Sequence, residues 1–409
     1  MIEAGTGLAR DRDPGRAARR ASGEAMRRLT DRRSAPEEYR DARRGSDLAL
    51  VFCAGVSESS LPAVLEEVRA VTGVDNPVGC SGAGVLTEAG EIENEQGVSV
   101  LVCASDTLQT FPFLVDGLKG RDRDVGREIG RLIREKATPG SLLLVFPDSI
   151  SCHPDHLFAG IQEVAGSLPV AGGGAAAEGA SGLRTLQFCG QRVVSNAVSG
   201  VLLSGAIAHS VGVTQSCLPL GKPYRITAAE GNAIKTLNGR PAVRSLIESL
   251  AGPGGELSED LHRLASHVFV GLPTGDVSSW KHGDYIVRSI LGVDPDDGAV
   301  YVGCEVREGG TIGFMLRDPA GAREDLKSML QHSDSSCRQP ALGFYFNCCA
   351  RGAGLYGLPE IDTAYIRNAL PALPVVGFFG FSEIAPANGG TRTHNYSGVM
   401  ALVSESASA

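Results

Sequence analysis

Runs of consecutive apolar residues recur along the chain, and they appear in the same order three times. Each copy opens with an apolar strand, continues through a stretch with helical spacing, enters a second strand that ends in glycines, and closes with a third strand. The opening strands are 48–53, 142–147 and 342–347, the glycine-rich segments are 76–82, 168–174 and 373–380, and the closing strands are 97–102, 198–203 and 396–401. Because repetition over this distance reflects architecture, the pattern predicts an α/β fold of recurring strand-helix-strand-strand units.

The opening runs are continuously apolar, which is typical of strands that are covered on both faces. We therefore predict mixed β-sheets flanked by helices, arranged as two related halves that span 46–216 and 217–405. The segment 217–339 departs from the repeat. Its predicted strands are 225–229, 268–272, 285–291, 299–304 and 311–316, and its predicted helices are 241–250 and 322–330.

The charge of the chain is unevenly distributed. The net charge is −9 over 409 residues, but residues 1–45 hold twelve arginines against eight acidic residues, so this leader is basic and the remainder is acidic. Few apolar residues and no helical stripe are evident in the leader, so residues 1–45 are predicted to be a disordered basic tail. The acidic body argues against a nucleic-acid partner.

The composition also limits the location of the protein and its cofactors. No apolar run approaches the roughly 18 residues that span a bilayer, so no membrane partner is expected. None of the ten cysteines forms a CxxC pair, which indicates buried, reduced thiols in a cytoplasmic protein and no metal site. Nucleotide-binding fingerprints are absent, so we predict no cofactor, and the glycine run 172–174 is expected to serve tight packing.

The third copy carries most of the polar chemistry at its strand ends. Cys348 and Arg351 follow its first strand, Glu383 follows its second, and His394 precedes its last. Loops at strand ends are the usual place for ligands in layered α/β folds. We therefore expect these four side chains to converge on one site.

Each of these residues also has a structural interpretation. Arg351 could bind a ligand carboxylate through a bidentate contact, or it could form an ion pair with Glu383. Cys348 could be a nucleophile, since a thiolate beside an arginine has a lowered pKa, or it could be a small apolar filler at the strand end. His394 is expected to be a loop histidine rather than a catalytic base.

Several short motifs along the chain together match one known family. They are the VGCSGAG segment at 78–84, the C-x-x-R-G pattern at 348–352, PVVGFFG at 374–380 with Glu383-Ile384, and the segments 283–288 and 298–301. These motifs resemble the FIST domain family, whose N-terminal and C-terminal parts occur together in bacterial signalling proteins and in a eukaryotic F-box protein. The likeness covers roughly residues 47–405, and one departure is Ser382, which replaces the glycine usually found before Glu383.

The resemblance implies a free-standing sensor of small ligands, with amino acids as the proposed ligands, and a signalling protein could be its partner. On this hypothesis Arg351 binds the ligand carboxylate, Glu383 binds the ammonium, and the backbone of 377–380 lines the cavity. The full set of predicted ligand-binding residues is Cys348, Arg351, Gly352, Gly377, Phe378, Gly380, Glu383 and His394, with Cys80 and Ser81 as a secondary position in the first copy.

Two other classes of function stay open at this point. One is a cysteine-dependent enzyme with Cys348 as nucleophile and His394 as base. The other is a protein-interaction module, because the eukaryotic relative works inside a larger assembly.

Overall fold

The computed structural model describes residues 1–32, 47–177, 184–252, 267–275, 285–294, 296–337, 339–387 and 390–406. The chain divides into two compact units. The first comprises Met1–Val213, Leu326–Thr393 and Ser397–Ala409, and the second comprises Thr214–Asp325 and His394–Tyr396. The units do not follow the predicted halves 46–216 and 217–405, because the first unit takes residues from both.

Three six-stranded sheets form the first unit, and all three share one spatial order. Sheet 1 contains β1 (Ile2–Arg10), β6 (Gly97–Ser105), β2 (Leu48–Ala54), β3 (Val78–Gly82), β10 (Gln187–Cys189) and β11 (Arg192–Val194). Sheet 2 contains β7 (Leu108–Asp116), β12 (Ala197–Gly205), β8 (Leu142–Pro147), β9 (Val170–Gly174), β23 (Ser382–Ala387) and β24 (Gly390–His394). Sheet 3 contains β13 (Ile207–Gln215), β25 (Ser397–Glu405), β21 (Leu342–Cys348), β22 (Val375–Gly380), β4 (Gly84–Thr87) and β5 (Gly90–Glu93).

The chain order within these sheets defines three structural copies: β1–β6, β7–β12, and β13 with β21–β25. In each copy the opening strand runs parallel to the glycine-rich strand and antiparallel to the closing strand. The predicted class, mixed α/β sheets flanked by helices, is confirmed, and the three copies of the sequence pattern correspond to these three structural copies.

The copies exchange hairpins in a cycle. The β10–β11 hairpin of the second copy extends sheet 1, β23–β24 of the third copy extends sheet 2, and β4–β5 of the first copy extends sheet 3. Each sheet is therefore completed by strands from a different copy, so the three copies are hydrogen-bonded into one unit.

Helices cover the sheets through apolar stripes. The first two pack on sheet 1, the next two on sheet 2, and two later helices on sheet 3. The helices are α1 (Pro14–Arg32), α2 (Leu61–Thr72), α3 (Asp122–Ile133), α4 (Pro154–Ala165), α5 (Ala242–Ala251), α6 (Pro319–Ser336), α7 (Ala353–Tyr356) and α8 (Ile361–Ala369).

The disordered tail predicted for residues 1–45 is wrong for residues 2–32, which form β1 and α1; residues 33–45 lie outside the described residues. The buried stripe of α1 consists mainly of alanines, so it lacks the large apolar side chains that make a helical pattern visible. The stripe is Ala17, Ala18, Ala21, Ala25 and Leu29. A Cβ built on Gly5 or Gly7 would overlap the α1 backbone, so the glycines of β1 let the helix pack closely.

The described residues of the second unit form one antiparallel sheet of seven strands. In spatial order they are β14 (Cys217–Glu230), β20 (Thr311–Arg317), β17 (Val268–Pro273), β18 (Tyr285–Val293), β19 (Val300–Val302), β15 (Ala233–Leu237) and β16 (Arg240–Pro241). An additional pairing of β14 with β15 closes six of them into a ring. Side chains such as Val270, Ile234 and Phe314 fill its apolar core, and Leu246 of α5 packs against them.

Four phenylalanines meet where the three copies join. Phe52, Phe146 and Phe346 hold the same position in the three opening strands, and their ring centroids lie 5.2 to 6.4 Å apart. Phe378 of β22 fits among them, with its centroid 4.7 Å from that of Phe52. The positions equivalent to Phe378 are Cys80 and Gly173, and these smaller residues leave room for its ring. The centre of the unit is therefore a packed aromatic core.

One glycine recurs at the same place in every copy. A Cβ on Gly79, Gly172 or Gly377 would overlap a carbonyl oxygen of the neighbouring parallel strand. Gly377→Ala should therefore lower the free energy of unfolding by about 3 kcal/mol, since backbone atoms must shift to admit the methyl group. Denaturation by urea, followed by circular dichroism, measures this change.

Gly23→Ala is the matched control, because nothing lies within 4 Å of a Cβ at this exposed position in α1. This variant should gain about 0.5–1 kcal/mol, since alanine is the better helix former. Equal stability of the Gly377→Ala protein and the wild type would contradict the close packing of β22 on β21.

Candidate functional site

The carboxyl end of β21 lies beside strands from two other segments of the chain. Cys348 is the last residue of β21, and the N–H of Cys349 donates to the Gly380 carbonyl at 2.8 Å, which joins this end to β22. Glu383 lies on β23 opposite Gly173 of sheet 2, and its side chain reaches Ser397 at the start of β25 in sheet 3. Sheets 2 and 3 therefore meet at the Glu383 carboxyl.

Glu383 is completely buried, and its carboxyl group is only half satisfied. Oε2 accepts hydrogen bonds from the Ser397 hydroxyl at 2.6 Å and from the Ser397 N–H at 3.3 Å. Oε1 has no hydrogen-bond partner among the described residues. Burial raises the pKa of Glu383 well above its usual 4.5, and the neighbouring Cys348 raises it further. Burial therefore favours the neutral carboxylic acid over the carboxylate at Glu383.

Arg351 is also fully buried, but its partner is Asp362 of α8 rather than Glu383. Nε and Nη2 contact the two Asp362 carboxylate oxygens at 3.0 Å each, which is the bidentate geometry. Burial alone would raise the pKa of Asp362, but the Arg351 charge and the hydrogen bonds bring it below its usual value. The structure corrects both expectations for Arg351, because the guanidinium already binds a carboxylate of the protein itself.

The same carboxylate organises three further side chains. The hydroxyls of Tyr345 and Tyr356 donate to Asp362 at 2.8 Å, and the Asn347 amide donates to it at 3.0 Å. This network attaches the start of α8 to the end of β21 and positions the turn that contains Arg351. The sequence does not predict this network, because the spacing between Asp362 and the C-x-x-R-G motif matches no recognised pattern.

The other predicted residues of the third copy pack against protein atoms. Phe378 lies in the aromatic core, and a Cβ on Gly377 would overlap the Tyr345 carbonyl. At Gly380 a Cβ would lie 2.8 Å from the Gly174 carbonyl oxygen. Gly352 adopts a φ of 59°, and Glu93 occupies the space next to it. These contacts explain the four residues as packing, and their lining of a ligand cavity stays a prediction.

The secondary position in the first copy is structural as well. Cys80 is fully buried in the core, and burial raises the pKa of its thiol well above 9.0, which makes it unreactive. Ser81 borders a cavity of about 200 Å³, together with Ser57 and Arg184. Its hydroxyl, however, donates to the Ala176 carbonyl at 2.8 Å and accepts from the Leu186 N–H at 2.9 Å. Ser81 thus joins the first copy to the second.

His394 belongs to the second unit, whereas Cys348, Arg351 and Glu383 belong to the first. It is 2% exposed, and neither ring nitrogen hydrogen-bonds to a described residue. Burial and the charge of Arg288 lower its pKa to about 4, so the ring is neutral at neutral pH. Its pairing with Cys348 as a catalytic base stays a prediction.

The described residues form neither a metal-ligand cluster nor a membrane-spanning helix. Among these residues, no group of three or more His, Cys, Asp or Glu side chains is placed to hold a metal ion. None of the described helices is long and apolar enough to cross a membrane.

Comparison with known proteins identifies the family to which the chain belongs. The FIST N domain model matches residues 47–240 and the FIST C domain model matches 242–386, so the chain belongs to the FIST domain family. It is 31% identical to uncharacterized protein MT0656 of Mycobacterium tuberculosis, covering 97% of this chain and 98% of that protein. Uncharacterized protein Mb0898c of Mycobacterium bovis is 31% identical, covering 80% of this chain and 83% of that protein.

The chain also matches solved structures at lower similarity. A cyanuric acid hydrolase from A. caulinodans matches with a TM-score of 0.35 and 12% identity, covering all of both chains. A chorismatase matches with a TM-score of 0.33 and 8% identity, covering 98% of this chain and 99% of that one.

The Arg351–Asp362 pair leads to a stability prediction. Asp362→Asn should lower the free energy of unfolding by about 3–5 kcal/mol, because it leaves the guanidinium charge buried without a counter-charge. Glu67→Gln is the matched control, since Glu67 also forms a bidentate pair, with Arg19, but at the surface. The control should change stability little. Urea denaturation of both variants tests the contrast, and similar losses in the two would contradict it.

A second buried acid near this network predicts a pH dependence. Glu91 of β5 accepts from the N–H groups of Glu360 and Thr363 at the start of α8. Burial and then the charge of Asp362 raise its pKa from 4.5 to about 7. The folded state therefore binds this proton more tightly than the unfolded state. The resulting stabilisation is complete below the unfolded pKa and is lost as the pH rises through the folded pKa.

Glu91→Gln removes this titration. Between pH 4.5 and pH 7 the wild type should lose roughly 3 kcal/mol of unfolding free energy relative to the variant. Urea midpoints at several pH values measure the difference. Parallel pH profiles of the two proteins would show that Glu91 titrates alike in the folded and unfolded chains.

Proposed function

We propose that this FIST domain protein is a sensor that binds a small polar metabolite, of which amino acids and related amines are the first class to test. One observation carries the proposal: the fully buried Glu383 carboxyl has an oxygen with no hydrogen-bond partner among the described residues. Leaving such an atom without a hydrogen bond costs about 1–3 kcal/mol of stability. The persistence of this cost in a native protein points to a functional role for the atom. A ligand that donates to Oε1 would recover that free energy.

An ammonium group is the donor that best fits Glu383. A bound cation favours the carboxylate over the acid, so it would lower the raised pKa and turn the neutral side chain into a charged partner. Arg351 is committed to Asp362, so the carboxylate of an amino acid would have to be met by other groups. The proposal therefore rests on the ligand amine.

The position of Glu383 supports a sensory role. Its strand belongs to sheet 2 and its hydrogen-bond partner Ser397 belongs to sheet 3. A ligand that contacts this carboxyl would favour one arrangement of the two sheets over others, which is how occupancy of a site shifts a conformational equilibrium. A signalling protein that recognises the favoured arrangement would then read the presence of the ligand.

A thermal-shift screen of amino acids and small amines at millimolar concentration tests the proposal. A ligand should raise the Tm of the wild type by mass action. Its affinity should increase with pH by up to about tenfold per unit below the Glu383 pKa, because binding needs the carboxylate and releases a proton. Titration calorimetry in buffers of different ionisation enthalpy measures that proton.

Two variants separate the possible outcomes. Glu383→Gln keeps the shape but cannot become anionic, so it should abolish binding of the amine. Glu91→Gln is the control, since Glu91 is also buried with a raised pKa but both its oxygens accept hydrogen bonds. If no amine shifts the Tm, or if Glu383→Gln binds as tightly as the wild type, the amine site is wrong.

A further inference from the structure

Two adjacent cysteines at the end of β21 have opposite environments. All ten cysteines are thiols within the described residues, and Cys349 is the exposed one among them. Cys348, directly before it, is 3% exposed and lies beside the Glu383 carboxyl. A reagent in solution therefore reaches Cys349 first, with a second sulfur immediately behind it.

The two sulfurs also interact. The Cys348 thiol hydrogen-bonds to the Cys349 sulfur, which favours the thiolate and lowers the pKa of Cys349 below 9.0. Burial has the opposite effect elsewhere: it raises the pKa of Cys53 and Cys103 to about 12. The thiolate is the nucleophile, and Cys349 is both exposed and lowered in pKa. We therefore expect Cys349 to react first.

We infer that Cys348 and Cys349 form an oxidation site at which a peroxide converts the pair to a vicinal disulfide. The Cys349 thiolate attacks one peroxide oxygen and breaks the O–O bond, giving a sulfenic acid and releasing water after proton uptake. The Cys348 thiol then attacks the Cys349 sulfur, forms the S–S bond and releases a second water. Two thiols are oxidised and one hydrogen peroxide is reduced.

The geometry makes this bond reversible. Consecutive Cα atoms are about 3.8 Å apart, whereas disulfides usually span about 4.4–6.8 Å, so a vicinal bridge is strained and easily reduced. Strained, exposed disulfides are the labile and regulatory ones. A cellular thiol would therefore restore the reduced pair.

The bridge would also change its surroundings. The peptide group between the cysteines makes two hydrogen bonds. Its N–H, from Cys349, donates to the Gly380 carbonyl, and its carbonyl, from Cys348, accepts from the Arg351 N–H, both at 2.8 Å. Twisting this peptide into an eight-membered ring disturbs both bonds and moves the sulfur that neighbours Glu383. Oxidation itself does not depend on the proposed ligand, so it can be tested whether or not an amine binds.

The test treats the reduced, full-length protein with about one equivalent of hydrogen peroxide and maps its peptides by mass spectrometry. The peptide that contains both cysteines should lose two hydrogens, about 2 Da, and dithiothreitol should restore it. Cys348→Ser should instead leave a sulfenic acid on Cys349 that dimedone traps, and Cys349→Ser should abolish the mass loss. Cys304→Ser, a half-buried cysteine in the second unit, is the control that retains it.

A measurement on the unmutated protein guards against variants that fail to fold. Iodoacetamide at limiting concentration should alkylate Cys349 before the other nine cysteines. Faster alkylation of any other cysteine would overturn the assignment. A peroxide product without the 2 Da loss in the wild-type peptide would overturn it as well.

Discussion

The contact on which the first unit depends is the aromatic core between the three copies. Phe52, Phe146 and Phe346 come from equivalent strands, and Phe378 fills the space between them. Aromatic pairs at these distances contribute about 0.5–1.5 kcal/mol each beyond the burial of their surface. No single copy can bury its own phenylalanine in this way. The rings therefore favour the assembled arrangement over three separate units.

The backbone supports the same arrangement from outside the core. Each sheet is completed by a hairpin of another copy, so separating the copies would expose three sheet edges at once. Serines add to this linkage: Ser99 donates to the Gly377 carbonyl at 3.3 Å, and Ser199 donates to the Gly79 carbonyl at 2.8 Å. The equivalent position in the third copy is Val399, which cannot donate, so the threefold relation is broken at the copy that carries Glu383.

The sequence predicted the features that depend on local interactions, and it missed those that depend on contacts between distant segments of the chain. The strands of the three copies were predictable because apolar runs and glycines are local signals. In contrast, β1 and α1 were missed because α1 packs on the glycines of β1 through small alanines such as Ala21. The partner of Arg351 could not be found, since a network around Asp362 depends on how α8 returns to β21. The buried state of Glu383 could not be found either, because it requires a strand from one copy to cross into the sheet of another.

The exchange of hairpins also explains why the proposed ligand contact falls in the third copy. In the hairpin strands that extend the three sheets, Val85, Gln187 and Glu383 occupy equivalent positions opposite Phe378, Cys80 and Gly173. Val85 is apolar and belongs to the core, so it has no polar atom to satisfy. Gln187 has an oxygen without a partner among the described residues, but an amide stays neutral at every accessible pH. Glu383 combines the same buried position with a group that can gain a charge. A repeat that satisfies packing three times thus leaves one copy, the third, with a buried ionisable carboxyl at this position, and the proposed ligand would act on its protonation state.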